Sequence, residues 1–329
     1  MSFIDEIRRK ATGLRRRVVL PEGTDPRTIA AAALLQRLDL PQPVLLGPPD
    51  PIRQGLKDAG ADAALITVID PAADPRLGDF AELLFQRRRE KGLTAEQAAA
   101  RVREPLFFGA MLLATDEVQA GVCGAVNTTG DVMRAGLWCV GMRPGVKTVS
   151  TSFYMVVPPF RGAAAEVLTF TDCALVPDPT SEQLADIAFA AAEARPKLVG
   201  DQPLVAFLSY STKCSAEGPR IDKVQKAVAI FREKHPEIPA DGELQVDAAV
   251  VASVGERKCP GSPVAGRANV LVFPDLDAGN IGYKLTQRLA HAEAVGPISQ
   301  GMAKPWNDLS RGATADDIAN VACIAALQA

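Results

Sequence analysis

The segment NDLSRG, residues 307–312, sets a hydroxyl, a guanidinium and a flexible glycine side by side at Ser310, Arg311 and Gly312. Shortly after it, in TADD, stands the carboxylate of Asp317. The apolar residues that follow, Ile318, Val321, Ala322 and Ala325, recur at helical spacing. The free N–H groups at a helix N-terminus favour anions, so Ser310 and Arg311 are placed to grip a phosphate there. A carboxylate beside such a site can serve as a general base. Thr314 to Asp317 also fits the Ser/Thr-x-x-Asp/Glu capping pattern, in which Asp317 merely closes the helix start, and spacing alone leaves both readings open.

Two other stretches carry charge in places where chemistry is possible. The strand pattern ANVLVFP ends at Asp275, and a glycine-containing turn with Asn280 is expected to lead into a helix bearing Lys284 and Arg288. Polar groups at the carboxyl end of a parallel strand face a ligand crevice. The segment from Asp79 to Glu104 is charged and helical in period, with Arg87, Arg88, Arg89 and Lys91 close together. Charge runs of this kind are usually a solvated face.

Composition excludes several classes of function. Lysine and arginine total 36 against 39 aspartate and glutamate, so a net charge of -3 provides no field for gathering polyanions, and no nucleic acid partner is expected. His235 and His291 are the only histidines, too few for a histidine-rich metal cluster. No G-x-S-x-G elbow is present for a serine hydrolase. The six cysteines show no C-x-x-C spacing and are expected to be reduced and mostly buried. The first residues lack the apolar core of a signal peptide, and no run reaches the roughly 18 apolar residues of a membrane span. A cytoplasmic protein with no membrane partner is expected.

The elements that must position these groups follow an α/β rhythm. Short β-branched runs (RRVVLPEG, QPVLLG, EVLTFTD, PLVAFLS, QVDAAVVAS, NVLVFPD) alternate with amphipathic stretches such as TIAAAALLQRL, TSEQLADIAFAAAEAR and IDKVQKAVAIFREK. Largely parallel sheets are therefore expected. Asp25 followed by Pro26 marks a helix start. The Gly-, Pro- and Ser/Thr-rich stretch GMRPGVKTVSTSFYMVVPPFRG, residues 141–162, marks a domain boundary near its start.

Motifs along nearly the whole chain, in order, resemble the phosphate acetyltransferases of the phosphate acetyl/butyryltransferase family. They are VVLPEGTDPRT, NTTGDVMRAGL, FTDCALVPDPT, LSYSTKCS, DGELQVDAA, KCPGSPVAGRANVLVFPD and the C-terminal SRGATADD segment. The resemblance implies reversible acetyl transfer between coenzyme A and phosphate, with acetyl-CoA, phosphate and acetyl phosphate as small-molecule partners. Coenzyme A is then a substrate, and neither a metal nor a separate cofactor is required. Asp317 matches the general base for the thiol, Ser310 a residue that stabilises the transition state, and Arg311 a contact to phosphoryl or acyl oxygens. Arg134, in GDVMRAGL, and Arg88, in RRREKG, match arginines that bind coenzyme A and phosphate, with a one-residue slip possible at Arg88. Asn127, Thr128 and Thr129 line the site or form a turn and helix cap; Lys284 reaches phosphate or lies on a surface helix.

The implied fold is two α/β domains resembling the isocitrate and isopropylmalate dehydrogenases, with the active site in the cleft between them. Residues 1–143 with 298–329 form the first, discontinuous domain and 144–297 the second, and a homodimer joins through the second. Two positions depart from the family pattern. Cys214 replaces a glycine, which puts a positive φ at risk, and Asp277 replaces an asparagine, which adds a negative charge. A phosphate butyryltransferase is the nearest competing function, because one methylene changes discrimination by only about 1–3 kcal/mol. A metal- and NAD-dependent decarboxylating dehydrogenase and a non-catalytic binder of coenzyme A esters are the other readings.

Overall fold

The computed structural model describes residues 2–329. The chain forms two compact units: one runs up to Pro144 and is completed by Met302–Ala329, and the other is Gly145–Gly301. The strands along the described chain are β1 (Arg17–Leu20), β2 (Gln42–Leu46), β3 (Thr67–Ile69), β4 (Ala120–Cys123), β5 (Ser150–Val157), β6 (Glu166–Thr171), β7 (Val205–Leu208), β8 (Ala240–Leu244), β9 (Val270–Val272), β10 (Glu293–Gln300) and β11 (Trp306–Asp308).

In the first unit β11, β4, β1, β2 and β3 lie in that order in one sheet, and every pairing is parallel. Val18, Val19 and Leu20 on β1 and all of β4 are buried, as expected for strands covered on both faces. The C-terminal helix Ala315–Gln328 packs on the helix Pro26–Arg37 and on β4. Small side chains on both helices (Ala31 and Ala32; Ala319, Ala322 and Ala326) let them approach, so the end of the chain is part of the first unit's core.

One large residue sets the register of β11. The Trp306 ring occupies space that a side chain at Gly121 or Gly136 would fill, and its Nε1 donates to the Val132 carbonyl at 2.9 Å. With Trp306 opposite Gly121 and Asp308 opposite Cys123, the end of β11 and the start of NDLSRG are fixed at the carboxyl end of the sheet.

The second unit is a six-stranded mixed sheet ordered β10-β5-β6-β9-β7-β8. β5 runs antiparallel to β10 and β6; the remaining pairs are parallel. Apolar clusters cover it on both faces, one around Phe153, Met155 and Leu271, the other around Ile187, Phe207 and Phe231.

Local structure departs from the sequence reading in several places. QVDAAVVAS is not a strand but the short helices Val246–Val250 and Ala252–Lys258, because its alanines favour helix over sheet. The neighbouring strand β8, ADGEL, carries no apolar alternation. Asn280 lies inside the helix Leu276–Leu289 and not in a turn before it, since Asp275 already caps that helix by accepting from the Ala278 amide. The segment from Asp79 to Glu104 is broken by Gly92, at φ 86°, into helices Leu77–Arg88 and Ala95–Arg101. Five cysteines are buried and Cys214 is exposed. Cys214 has φ 64°, the left-handed conformation that its departure from glycine put at risk.

Candidate functional site

The site in the first unit is built where β1, β4 and β11 end. After β4 the chain turns at Gly124, whose φ of 104° and close neighbours admit no side chain: a Cβ there would meet Asp308 Oδ1 and the Leu309 backbone. The next residues lead to the helix Thr129–Ala135, capped by Thr128, whose hydroxyl accepts from the Asp131 amide. After β11 the chain continues through Ser310 and Arg311, both exposed, to Thr314 and the C-terminal helix.

Three buried or half-buried charged groups tie these loops together. Glu22, just after β1, accepts at Oε1 from the amides of Gly124 (3.1 Å), Val126 (2.9 Å) and Asn127 (2.8 Å), and from Asn127 Nδ2 (2.8 Å). Its Oε2 accepts from the Ala125 amide at 2.8 Å. Arg27 Nη1 donates to the carbonyls of Arg311 (2.7 Å) and Ala313 (3.1 Å), and Nη2 donates to the Ala125 carbonyl at 2.8 Å. Asp25 holds that guanidinium in a fork, which keeps the Asp25 carboxyl below its ordinary range. Asp308 Oδ2 accepts from Thr129 Oγ1 at 2.7 Å, joining the end of β11 to the first turn of Thr129–Ala135.

Asp308 is electrostatically unusual. It is 5% exposed, and Oδ1, against Gly124, has no well-formed hydrogen bond among the described residues. Burial raises its carboxyl to about 6, helped by the nearby Glu22 charge and opposed by the Thr129 hydroxyl. Burial beside the same two carboxylates also drives the Cys123 thiol well up, so that thiol is inert.

The sequence-derived candidates fall into groups. Ser310, Arg311, Asn127, Thr128 and Thr129 sit on the two loops that Arg27 and Asp308 connect. Asp317 is an exposed member of the helix start, where Oδ2 accepts from the Thr314 amide (2.9 Å) and hydroxyl (2.8 Å). The capping box is completed by the Asp317 amide, which donates to the Thr314 hydroxyl at 3.2 Å. Arg134 is exposed on Thr129–Ala135 and pairs with Asp131 at 2.6 Å. An exposed pair of this kind contributes at most about 1 kcal/mol, so Arg134 can turn to an anion at little cost. Arg88 lies over the Trp138 ring, 4.9 Å from its centre, while Arg87 donates to the Cys139 carbonyl. That difference separates the neighbouring arginines: Arg87 is committed to the backbone and Arg88 is not.

Lys284 lies in the other unit, exposed on Leu276–Leu289 beside Tyr283. Asp277, on the first turn of the same helix, borders a cavity of about 440 Å³ with Tyr210, Phe273 and Ile281. Arg220 and Lys223 line it too, so the negative charge added at Asp277 has cations nearby. Sequence reasoning missed Glu22, Arg27 and Asp308. For Glu22 the available signal was a charged residue just beyond the end of an apolar strand, whereas Arg27, inside a helix, and Asp308, in the short polar strand WND, carried no such signal.

The family model described as "Phosphate acetyl/butaryl transferase" matches residues 2–326. The chain belongs to that family. It is 45% identical over 329 residues to the phosphate acetyltransferase of Acetivibrio thermocellus, covering 100% of this chain and 98% of the relative. Among solved structures, a phosphotransacetylase from Streptococcus pyogenes superposes with a TM-score of 0.94 at 39% identity, covering 100% of this chain and 99% of the other. A Salmonella typhimurium structure assigned as a 4-hydroxythreonine-4-phosphate dehydrogenase aligns with a TM-score of 0.55 at 14% identity over 96% of this chain and 99% of its own. That likeness concerns the fold alone, and it accords with the dehydrogenase-like architecture expected from the motifs. Membership of the family also retires the NAD-dependent dehydrogenase reading.

Proposed function

We propose that this chain is a phosphate acetyltransferase, catalysing acetyl-CoA + phosphate = acetyl phosphate + CoA by direct attack of the coenzyme A thiolate within a ternary complex. The observation that carries the reading is the intact Ser310, Arg311 and Asp317 set, anchored by Arg27 to the loop of Asn127–Thr129, in a chain similar to phosphate acetyltransferases over its whole length. Acetyl is favoured over butyryl because relatives 45% and 44% identical to this chain along its whole length are phosphate acetyltransferases.

A free thiol near pKa 8.5 is only partly ionised at neutral pH. Asp317 takes the thiol proton on Oδ1 while the bonds from Thr314 hold Oδ2 in place. The thiolate attacks the acetyl carbonyl of acetyl phosphate. Negative charge grows on the carbonyl oxygen, where the Ser310 hydroxyl donates and the Arg311 guanidinium supplies positive charge. Phosphate then departs with the electron pair of the broken C–O bond. Arg88 and Arg134 hold the anionic parts of coenzyme A and phosphate, and Asn127, Thr128 and Thr129 complete the binding groups. No metal or further cofactor enters, because the anhydride supplies its own leaving group.

The enzyme is further proposed to act in the cytoplasm as a homodimer. Among the described residues no helix is long and apolar enough to cross a membrane. Ile281, Leu285 and Leu289 form an exposed apolar stripe on one helix face of the second unit, which supports burial against a second copy.

Initial rates test the reading. Intersecting two-substrate patterns are expected, with faster thiol release from acetyl-CoA than from propionyl- or butyryl-CoA. Parallel ping-pong lines would exclude direct transfer, and preference for butyryl-CoA would make the chain a butyryltransferase.

A further inference from the structure

Glu22 presents an arrangement that the acyl-transfer reading does not use. Four consecutive backbone amides, Gly124 through Asn127, all point at one carboxylate. Successive N–H groups turned to a common centre form an anion-binding concavity, and here the protein's own side chain fills it. Glu22 is 9% exposed, and a fifth donor, Asn127 Nδ2, closes the set. That last bond decides the orientation of Asn127. An amide nitrogen must face the carboxylate, so the amide oxygen Oδ1 is turned away from it as a fixed acceptor.

We propose that Glu22 is a positioning residue for the acyl-transfer reaction: its carboxylate, seated in the Gly124–Asn127 amides, holds Asn127 Oδ1 outward as an acceptor for an N–H or S–H donor of the thiol substrate. The inference rests on the proposed transferase activity. The thiol substrate of such an enzyme carries two amide N–H groups and one S–H, and the candidate side chains around it are otherwise mostly donors: Ser310, Arg311, Arg134 and Arg88. An oriented amide oxygen supplies an acceptor without adding charge next to the phosphate. Glu22 also sets the field at Asp308, whose carboxyl is raised partly by the Glu22 charge. Asp308 in turn holds Thr129, two positions from Asn127.

The test compares Glu22→Gln, Asn127→Ala and the double variant in phosphorolysis of acetyl-CoA, alongside Glu22→Ala assayed with and without added formate. Glutamine brings an N–H donor to a concavity of N–H donors and disrupts it. Asn127→Ala leaves all four backbone bonds in place, so it reports on the orientation effect in a folded protein. The expected result is an acetyl-CoA KM raised at least about tenfold in both single variants, with a smaller change in the KM for phosphate. The double variant should be no worse than the more affected single one, because both remove the same acceptor. Formate should saturably restore part of the Glu22→Ala activity by occupying the vacated amides. Wild-type kinetics in Asn127→Ala, or additive losses in the double variant, would overturn the proposal while leaving the transferase reading intact. A wild-type protein that forms no acetyl phosphate would instead remove the reading on which the proposal rests.

Discussion

Asp317, the proposed base, is also a helix cap: its Oδ2 accepts from the Thr314 amide and hydroxyl. In the proposed mechanism the thiol proton goes to Oδ1. Asp317→Asn retains the cap's shape and an acceptor but loses the base. The expected outcome is a kcat reduced by roughly 10²-fold or more with thermal stability lowered by no more than about 0.5–2 kcal/mol. Steady-state rates and thermal unfolding on one preparation check both halves of that statement. Asp308 carries a different prediction. Its folded carboxyl, at about 6, lies above the unfolded value near 4, so the native state binds the proton more tightly. Stability is therefore expected to fall as pH rises from about 4 through about 6, by about 1–3 kcal/mol from this residue. In Asp308→Asn that portion of the decline should vanish, as read from urea unfolding across this pH range.

At the scale of elements, the site is a junction of three strand ends, and its visibility in the sequence follows from chain distance. Ser310, Arg311 and Asp317 stood out as candidates because they are neighbours along one short segment, and the family resemblance, not their spacing, supplied their roles. Glu22, Arg27 and Asp308 did not stand out, because their roles arise only when β1, β4 and β11 pair in parallel and bring PEGTDPRT, Gly124–Asn127 and NDLSRG together. The fold class was legible from the α/β rhythm. Strand β8 was not, because its polar residues are satisfied by partners distant in sequence: Asp241 by Lys213, Arg232 and Ser262, and Glu243 by Ser211, Gln225 and the Cys214 amide.

Two substitutions probe this level. Arg27→Lys cannot reproduce a planar fork that reaches three carbonyls and Asp25 together. It should lower kcat/KM about tenfold or more and cost about 1–3 kcal/mol of stability, measured by steady-state kinetics and chemical denaturation. Cys214→Gly should stabilise the second unit by about 0.5–1 kcal/mol, since glycine adopts φ near 64° without the strain that cysteine bears. A thermal melt of that variant at or below wild type would show the turn to be unstrained.

For the whole molecule, the proposed dimer rests on the exposed apolar stripe of Ile281, Leu285 and Leu289 in the second unit. Leu285→Lys should convert the proposed dimer to monomer in sedimentation experiments, because a charge cannot be buried unpaired in an apolar contact. The proposed activity is tested most directly by one measurement: free thiol released from acetyl-CoA by the purified protein, with and without phosphate, alongside capture of the acyl product by hydroxylamine. Thiol release is expected to depend on phosphate, with one equivalent of acetyl phosphate trapped for each thiol. Acetyl-CoA left intact in phosphate, or thiol released without acetyl phosphate, would contradict that activity.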